Sequence, residues 1–176
     1  MNKTGIILIG TGLAVTAAAV YAAPKISAAL DAKEIGDKAD FNLKSFKYKK
    51  SSPGGGSLLD KLLKLNFNFQ AVLEVSNPTT KSMVMDQPYL NVYYKANGVG
   101  NSDPATQKIT VAPNAKTELP VNVTLFGSKA IGAAADLVGY IAKRIAGITV
   151  EPRPIQIKMQ TAANGFPVEK TFNVNL

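Results

Sequence analysis

The sequence predicts a mainly β protein: an antiparallel β-sandwich with one amphipathic helix, preceded by an N-terminal transmembrane helix. Three observations point there. Most of the chain after residue 40 alternates apolar and polar residues in short runs separated by Gly, Pro, Asn and Asp, the pattern of strands with one buried and one solvated face. One later stretch switches to the 3.6-residue spacing of a helix, and a helix that is apolar along one stripe must bury it. Residues 5–23 carry no charge, and a helix of that length, at ~1.5 Å per residue, comes close to the ~30 Å hydrocarbon thickness of a bilayer.

Taken in order, residues 1–24 form the expected anchor, with Ile6, Ile7, Leu8, Ile9, Leu13, Val15 and Val20 as membrane-spanning residues and Lys3 and Lys25 flanking the run. A cleaved leader with Lys3 as its basic region is the alternative. The run is longer than a usual leader core and Pro24 crowds the cleavage positions, so a retained signal-anchor is the expectation. Gly10, Ala14, Ala18 and Ala22 recur every fourth residue and form a stripe along which a second helix could pack closely, although an alanine-rich helix produces such a stripe by chance. Lys25, Lys33 and Lys38 follow the run and Lys3 precedes it. Basic residues near a span favour the cytoplasmic side, but the margin is small and the side of the large domain stays open. Residues 25–40 read as a helical stalk with Ile26, Ala29 and Leu30 on one face.

The β-domain is expected over residues 41–176. Its first strand, Phe41 to Tyr48, leads into a glycine-rich loop at 51–57. Ser57-Leu58-Leu59 follows the last glycine, where a phosphate-binding loop needs lysine and a hydroxyl residue, so the loop is no phosphate cradle. After one amphipathic turn at Leu58 to Leu63 comes the strongest alternation, Leu65, Phe67, Phe69, Ala71, Leu73 and Val75. It is stopped by Asn77-Pro78, where proline removes a donor. Strands are then expected at Ser82 to Met85, Tyr89 to Lys95, Lys108 to Ala112 and Leu119 to Phe126, divided by Asp86-Gln87-Pro88, Asn97-Gly98, Asp103-Pro104 and Pro113-Asn114. The helix starts from Ser128 as N-cap, carries the stripe Ile131, Ala134, Ala135, Val138, Ile141, Ala142 and Ile145, and stops at Gly147. A hairpin about Asn164-Gly165 closes the chain, with Ile155 to Thr161 before it and Phe172 to Leu176 after it.

Composition removes most catalytic chemistry. The 176 residues contain no His, Cys or Trp, so disulfides, thiolate nucleophiles, imidazole metal ligands and histidine relays are absent. The carboxylates outside the stalk are scattered over different elements and propose neither an acid–base pair nor a metal loop. No enzymatic activity and no cofactor are expected. The formal charge is +8, which favours a polyanionic neighbour without naming one. Lys44, Lys47, Lys49 and Lys50 interleave with Phe46 and Tyr48 on the first strand. They are a candidate contact for nucleic acid or anionic lipid, with the aromatics stacking or inserting; the alternative is a strand with a solvated lysine face.

The run from Leu65 to Ser102, followed by Thr110 to Phe126, resembles the late embryogenesis abundant type 2 family, also called the water stress and hypersensitive response domain. The resemblance lies in a strand ending Val75-Ser76-Asn77-Pro78, a strand containing Tyr93-Tyr94, glycines at 98 and 100, and a proline-led strand through Leu119-Pro120-Val121-Asn122-Val123. It extends over roughly Phe41 to Leu176 and implies a fibronectin-like antiparallel β-sandwich with one helix, often tethered to a membrane, and no catalytic residues. The glycine-rich loop with Leu58 to Leu63 departs from that pattern as an insertion. The expected function is a non-enzymatic, membrane-anchored structural or protein-interaction module, single-pass in a cell or virion membrane. Its expected partners are the bilayer and a protein. The alternative is a virion membrane-associated structural protein or a polyanion-binding module.

Overall fold

The computed structural model describes residues 29–49, 66–126, 136–144 and 146–176. The expected anchor from Ile6 to Val20 with its stripe from Gly10 to Ala22 lies outside them. So do Lys50, the glycine-rich loop, Leu58 to Leu63, and the helix positions Ser128, Ile131, Ala134, Ala135 and Ile145. Among the described residues no helix is long and apolar enough to cross a membrane.

Among the described residues two short helices, α1 over residues 29–38 and α2 over residues 136–144, accompany nine strands: β1 (Asp40–Tyr48), β2 (Asn66–Asn77), β3 (Met83–Asp86), β4 (Tyr89–Tyr94), β5 (Asn97–Ser102), β6 (Lys108–Val111), β7 (Ala115–Phe126), β8 (Pro154–Ala163) and β9 (Phe166–Asn175). All nine belong to one antiparallel hydrogen-bonded sheet, in the order β1-β2-β7-β5-β4-β8-β3-β6 with β9 on β8. Two separate stacked sheets were the sequence expectation; the chain instead makes one sheet that turns back on itself. β1 and β9 stand far apart in the strand order, yet Lys170 Nζ on β9 lies 2.7 Å from Asp40 Oδ1 on β1. The inner face encloses one core, to which β2 gives Phe67, Phe69, Ala71, Leu73 and Val75 and β8 gives Ile155, Ile157 and Met159. These are alternate residues on each strand, as period-two patterning requires.

β2 is the spine. It pairs with β7 over its whole length, from Asn66↔Phe126 to Asn77↔Ala115, and with β1 on its other side. Pro120 is tolerated within β7 because β5 reaches only Val123, Leu125 and the residue between them, leaving the earlier half of that edge without a ladder to break. The β1–β2 register shifts between Leu43 and Ser45. Phe41 and Leu43 point inward before this bulge and Phe46 and Tyr48 after it, so the extra residue, Lys44, reverses the parity of the strand.

Gly98 was expected to mark a turn, but the turn lies two residues earlier. Lys95 and Ala96 have φ of 48° and 66°, and Tyr94 pairs with Asn97, already in β5. β5 itself, Asn97-Gly-Val-Gly-Asn-Ser, has no alternation to announce it. It forms because Val99 is buried in the core, the buried Ser102 Oγ accepts the Leu90 N–H at 2.9 Å, and Gly100 lets it approach β7. Its β4 and β7 ladders join the two halves of the sheet.

The described part of the expected stalk, from residue 29 on, is packed into the domain. Ile35 is buried in the core while Leu30 is exposed, Gly36 lies against Phe166 Cβ and the Ala163 carbonyl, and Asp31 pairs with Lys81. A fragment spanning residues 29–176 is therefore expected to melt cooperatively, and a fragment beginning at Phe41 to melt several degrees lower, because losing a buried isoleucine costs about 2–5 kcal/mol. Thermal circular dichroism of the two fragments checks this; equal melting temperatures would show that α1 adds nothing.

Candidate functional site: an aromatic cavity at the far end of the sheet

β1 runs from α1 at one end of the sheet to Tyr48 at the other. At this far end β1 and the start of β2 meet α2 and the last residues of the chain. α2 is held there by Leu137, Val138, Tyr140 and Ile141, all buried. Two of these, Leu137 and Tyr140, were not in the expected stripe. The helix ends as expected at Gly147, whose φ is 77°. The Gly147 N–H donates to the Arg144 carbonyl at 3.1 Å and the Ile148 N–H to the Lys143 carbonyl at 2.9 Å, the paired bonds of a Schellman cap. Tyr140 Oη donates to the Leu176 carbonyl, tying α2 to the end of β9.

On its other flank α2 is fixed by charge. Tyr94 is 2% exposed; its hydroxyl donates to Asp136 Oδ2 at 2.7 Å, and Lys95 Nζ lies 3.0 Å from the same oxygen. The Tyr94 hydrogen bond, with that of Lys95, holds the Asp136 carboxyl below the usual carboxylate range. The same carboxylate pushes the Tyr94 phenol up.

Between these elements is a cavity of about 340 Å³. Phe46 and Phe69 stack face to face, with ring centroids 4.9 Å apart at an interplanar angle of 7°, and Tyr48 meets Phe69 edge-on at 5.6 Å. Both geometries are favourable for aromatic quadrupoles. Tyr140, Ile141, Asn175 and Leu176 form the rest of the wall, with Lys47 and Arg144 also lining it. A neighbouring cavity of about 360 Å³ mixes Asp136 and Glu151 with Lys143 and Arg153. Among the described residues no three carboxylates, histidines or cysteines gather to hold a metal ion.

The structure separates the basic-patch lysines. Lys44, displaced by the bulge, reaches Glu74 Oε2 and Glu118 Oε1, each at 2.8 Å. Those hydrogen bonds push its ammonium upward in pKa, Glu118 first and then Glu74, and Lys44 together with Lys116 holds Glu74 low. Lys49 Nζ donates to Asn122 Oδ1 at 3.1 Å. Lys47 and Lys49 are exposed, and Phe46 and Tyr48 are half-buried between them. The aromatics line the cavity, on the opposite side of the strand from the lysine ammonium contacts with Glu74, Glu118 and Asn122. Lys50 lies outside the described residues.

Asn77, read from the sequence as a strand stop, does more. Its side chain is buried, at 1% exposure, and Nδ2 donates to the carbonyls of Lys81 at 2.8 Å, Val111 at 3.2 Å and Ala112 at 3.1 Å. Its Oδ1 accepts the Thr79 N–H at 3.2 Å and the Thr79 hydroxyl at 2.7 Å. One amide thus joins the end of β2, the following turn and the end of β6.

The protein is a mainly β, antiparallel-sheet domain with two short helices among its described residues. Solved structures with similar folds include a protein from Archaeoglobus fulgidus, 14% identical with a TM-score of 0.47 over 77% of this chain and 94% of that one. Another is a protein from Arabidopsis thaliana, 13% identical with a TM-score of 0.46 over 77% and 80%. A third, described as a late embryogenesis abundant protein, is 14% identical with a TM-score of 0.35 over 90% and 87%. No family model and no curated protein sequence matches the chain.

Proposed function

We propose that the chain is a non-enzymatic module, held at a membrane by its N-terminal run, that presents the far end of its sheet to a protein partner. The wrapped sheet is then a variant of the fibronectin-like sandwich of late embryogenesis abundant type 2 domains, with β5 joining the two layers. The observation that carries this proposal is the polarity of the domain. α1 packs at one end and the aromatic cavity opens at the other, and the nine residues of β1 between them extend roughly 26 Å at ~3.3 Å per residue. An anchor leading into α1 would hold the cavity away from the bilayer. The non-enzymatic part of the reading is supported by the carboxylates: Asp31, Glu34, Asp40, Glu74, Glu118 and Asp136 are each engaged by a lysine, and the other described ones, Asp37, Asp86, Asp103, Glu151 and Glu169, are scattered along the chain.

The membrane half is tested by alkaline carbonate extraction. The parent protein is expected to stay with the membrane. Replacing Leu13 and Val15 by lysine is expected to release it, because each charge at mid-bilayer costs about 2.5–3.5 kcal/mol on insertion scales. Release of the parent, or a mature N-terminus near Ala23, overturns the anchor.

A second reading, polyanion binding, is supported by Lys47 and Lys49, which have no carboxylate partner among the described residues. A virion membrane protein would fit either reading. If these two lysines touch phosphates, changing both to glutamine should flatten the salt dependence of duplex DNA binding by about 2 units. The Lys44→Gln change should alter it much less, because Glu74 and Glu118 already hold that ammonium. Absence of binding at low salt leaves the lysines as a solvated face.

A further inference from the structure

We propose that the aromatic cavity binds a small amphiphilic anion, a molecule with an apolar body and a single acidic head group. This goes beyond the interaction-module reading and does not depend on it, since it assigns a small-molecule site. The cavity, about 340 Å³, falls within the range of pockets that enclose small ligands, which are mostly apolar with a few placed polar groups. One wall is apolar: Phe69 and Ile141 are each 4% exposed, and the stacked Phe46 and edge-on Tyr48 complete an aromatic surface, while Lys47, Arg144 and Asn175 make the rest of the lining polar. Lys47 and Arg144 are exposed and stand where a head group would emerge.

Charge complementarity selects the head. No carboxylate side chain lines the cavity among the described residues, and neither Lys47 nor Arg144 has an ion-pair partner among them; Lys33, Lys49, Lys108, Lys143, Arg153 and Lys158 have none there either, and what sets Lys47 and Arg144 apart is their place together on the wall of this cavity. Two cations beside an apolar wall favour a ligand whose buried body ends in an anion, and the arginine fork can hold two acidic oxygens at once. A neutral alcohol of the same body would leave both cations without a partner. A highly charged polyanion would leave the aromatic wall uncovered.

The test uses the full chain in nanodiscs of phosphatidylcholine, with decanoic acid bearing a diazirine on its chain as probe. After photoactivation, adducts mapped by mass spectrometry are expected to concentrate on residues 46–48 and 140–144. Unlabelled decanoate should suppress them and decanol should not. The Lys47→Gln, Arg144→Gln double variant, with both sites on the surface, should lose labelling by about tenfold with an unchanged melting temperature, as expected for loss of charge-assisted bonds. The single variant Arg144→Gln should fall between.

A second arm places the diazirine on the acyl chain of phosphatidic acid in the disc. Labelling of the same residues by this probe supports the site, names the bilayer as source and overturns the placement of the cavity away from the bilayer, while labelling by decanoate alone supports the site with a free amphiphile and leaves that placement standing. Adducts spread evenly along the chain, competition by decanol equal to that by decanoate, undiminished labelling of the double variant, or labelling by neither probe would each overturn the proposal.

Discussion

Gly100→Ala is expected to unfold the protein or to lower its melting temperature by roughly ten degrees or more, since overpacking against fixed backbone costs about 3 kcal/mol and upward. A Cβ built at Gly100 would collide with the Thr124 carbonyl oxygen and stand 2.5 Å from Leu125 Cδ2 and 2.9 Å from Leu125 Cα. The leucine methyl could rotate aside, but the carbonyl and the Cα belong to β7 and can yield only if the β5–β7 ladder opens. Because β5 links the halves of the sheet, a local opening there becomes a global loss. Gly139→Ala is the control: nothing lies within 4 Å of its added carbon. Alanine in place of glycine within a helix should raise stability by about 0.5–1 kcal/mol. Thermal melts of the two variants beside the parent measure both effects, and an unchanged Gly100→Ala melt would mean that β5 does not approach β7 as described.

Asn77→Asp is expected to be nearly as damaging although it changes almost no volume. The amide donates to three carbonyls; a carboxylate in its place has no hydrogen to give and turns each contact into repulsion. Leaving a buried charge unpaired costs about 3–5 kcal/mol. The pH dependence has a definite sign. Burial among carbonyl oxygens raises the folded pKa of the introduced carboxyl above its unfolded value, about 3.9. The variant therefore compares best with the parent below that unfolded value, and its deficit grows as pH rises through the interval up to the folded pKa. The parent moves the other way at acid pH. Asp40, Glu74 and Asp136 are held low by their lysine and tyrosine partners, so the stability that they contribute is lost as pH falls through their folded pKa values. The comparison must accordingly be made between variant and parent at each pH. Urea midpoints at pH 3.5 and pH 7 should show the larger difference at pH 7; the reverse order would mean that Asn77 Nδ2 does not face those carbonyls.

The strands that could be read from the sequence are those whose alternation is complete. β2 from Phe67 to Val75 and β8 from Ile155 to Met159 place an apolar side chain at every second position, and each appears where the pattern puts it. β7 was recognised only from Leu119, because its earlier residues are half-buried or exposed and carry charges. β5 was missed because glycine stands where a side chain would show the period, and its reason for being a strand, the close approach to β7, involves residues more than twenty positions away. The turn at Lys95-Ala96 was hidden because neither residue is a usual turn former, while Asn97-Gly98 next to it is. The β1 bulge did leave a trace: Phe41 and Leu43 occupy odd positions, Phe46 and Tyr48 even ones. The cavity left none. Phe46, Phe69, Tyr140 and Leu176 come from four distant segments, and only the completed fold brings them together. Asn77 was noticed for the proline after it, whereas its partners Val111 and Ala112 lie more than thirty residues on.

The bulge at Lys44 also bears on self-association. β1 hydrogen-bonds only to β2 among the described strands, so its outer edge offers donors and acceptors to any extended chain, the usual starting point for edge-to-edge aggregation. The register shift between Leu43 and Ser45 divides that edge into two short stretches whose hydrogen-bonding phases differ. A regular strand that adds to the first cannot continue along the second. Lys47 within the second stretch and Lys49 just past it then place positive charge there, and Lys170 pins the beginning of β1 through Asp40. The residue that reverses the strand's parity to build the aromatic wall thus also makes β1 a poor template for another copy of itself.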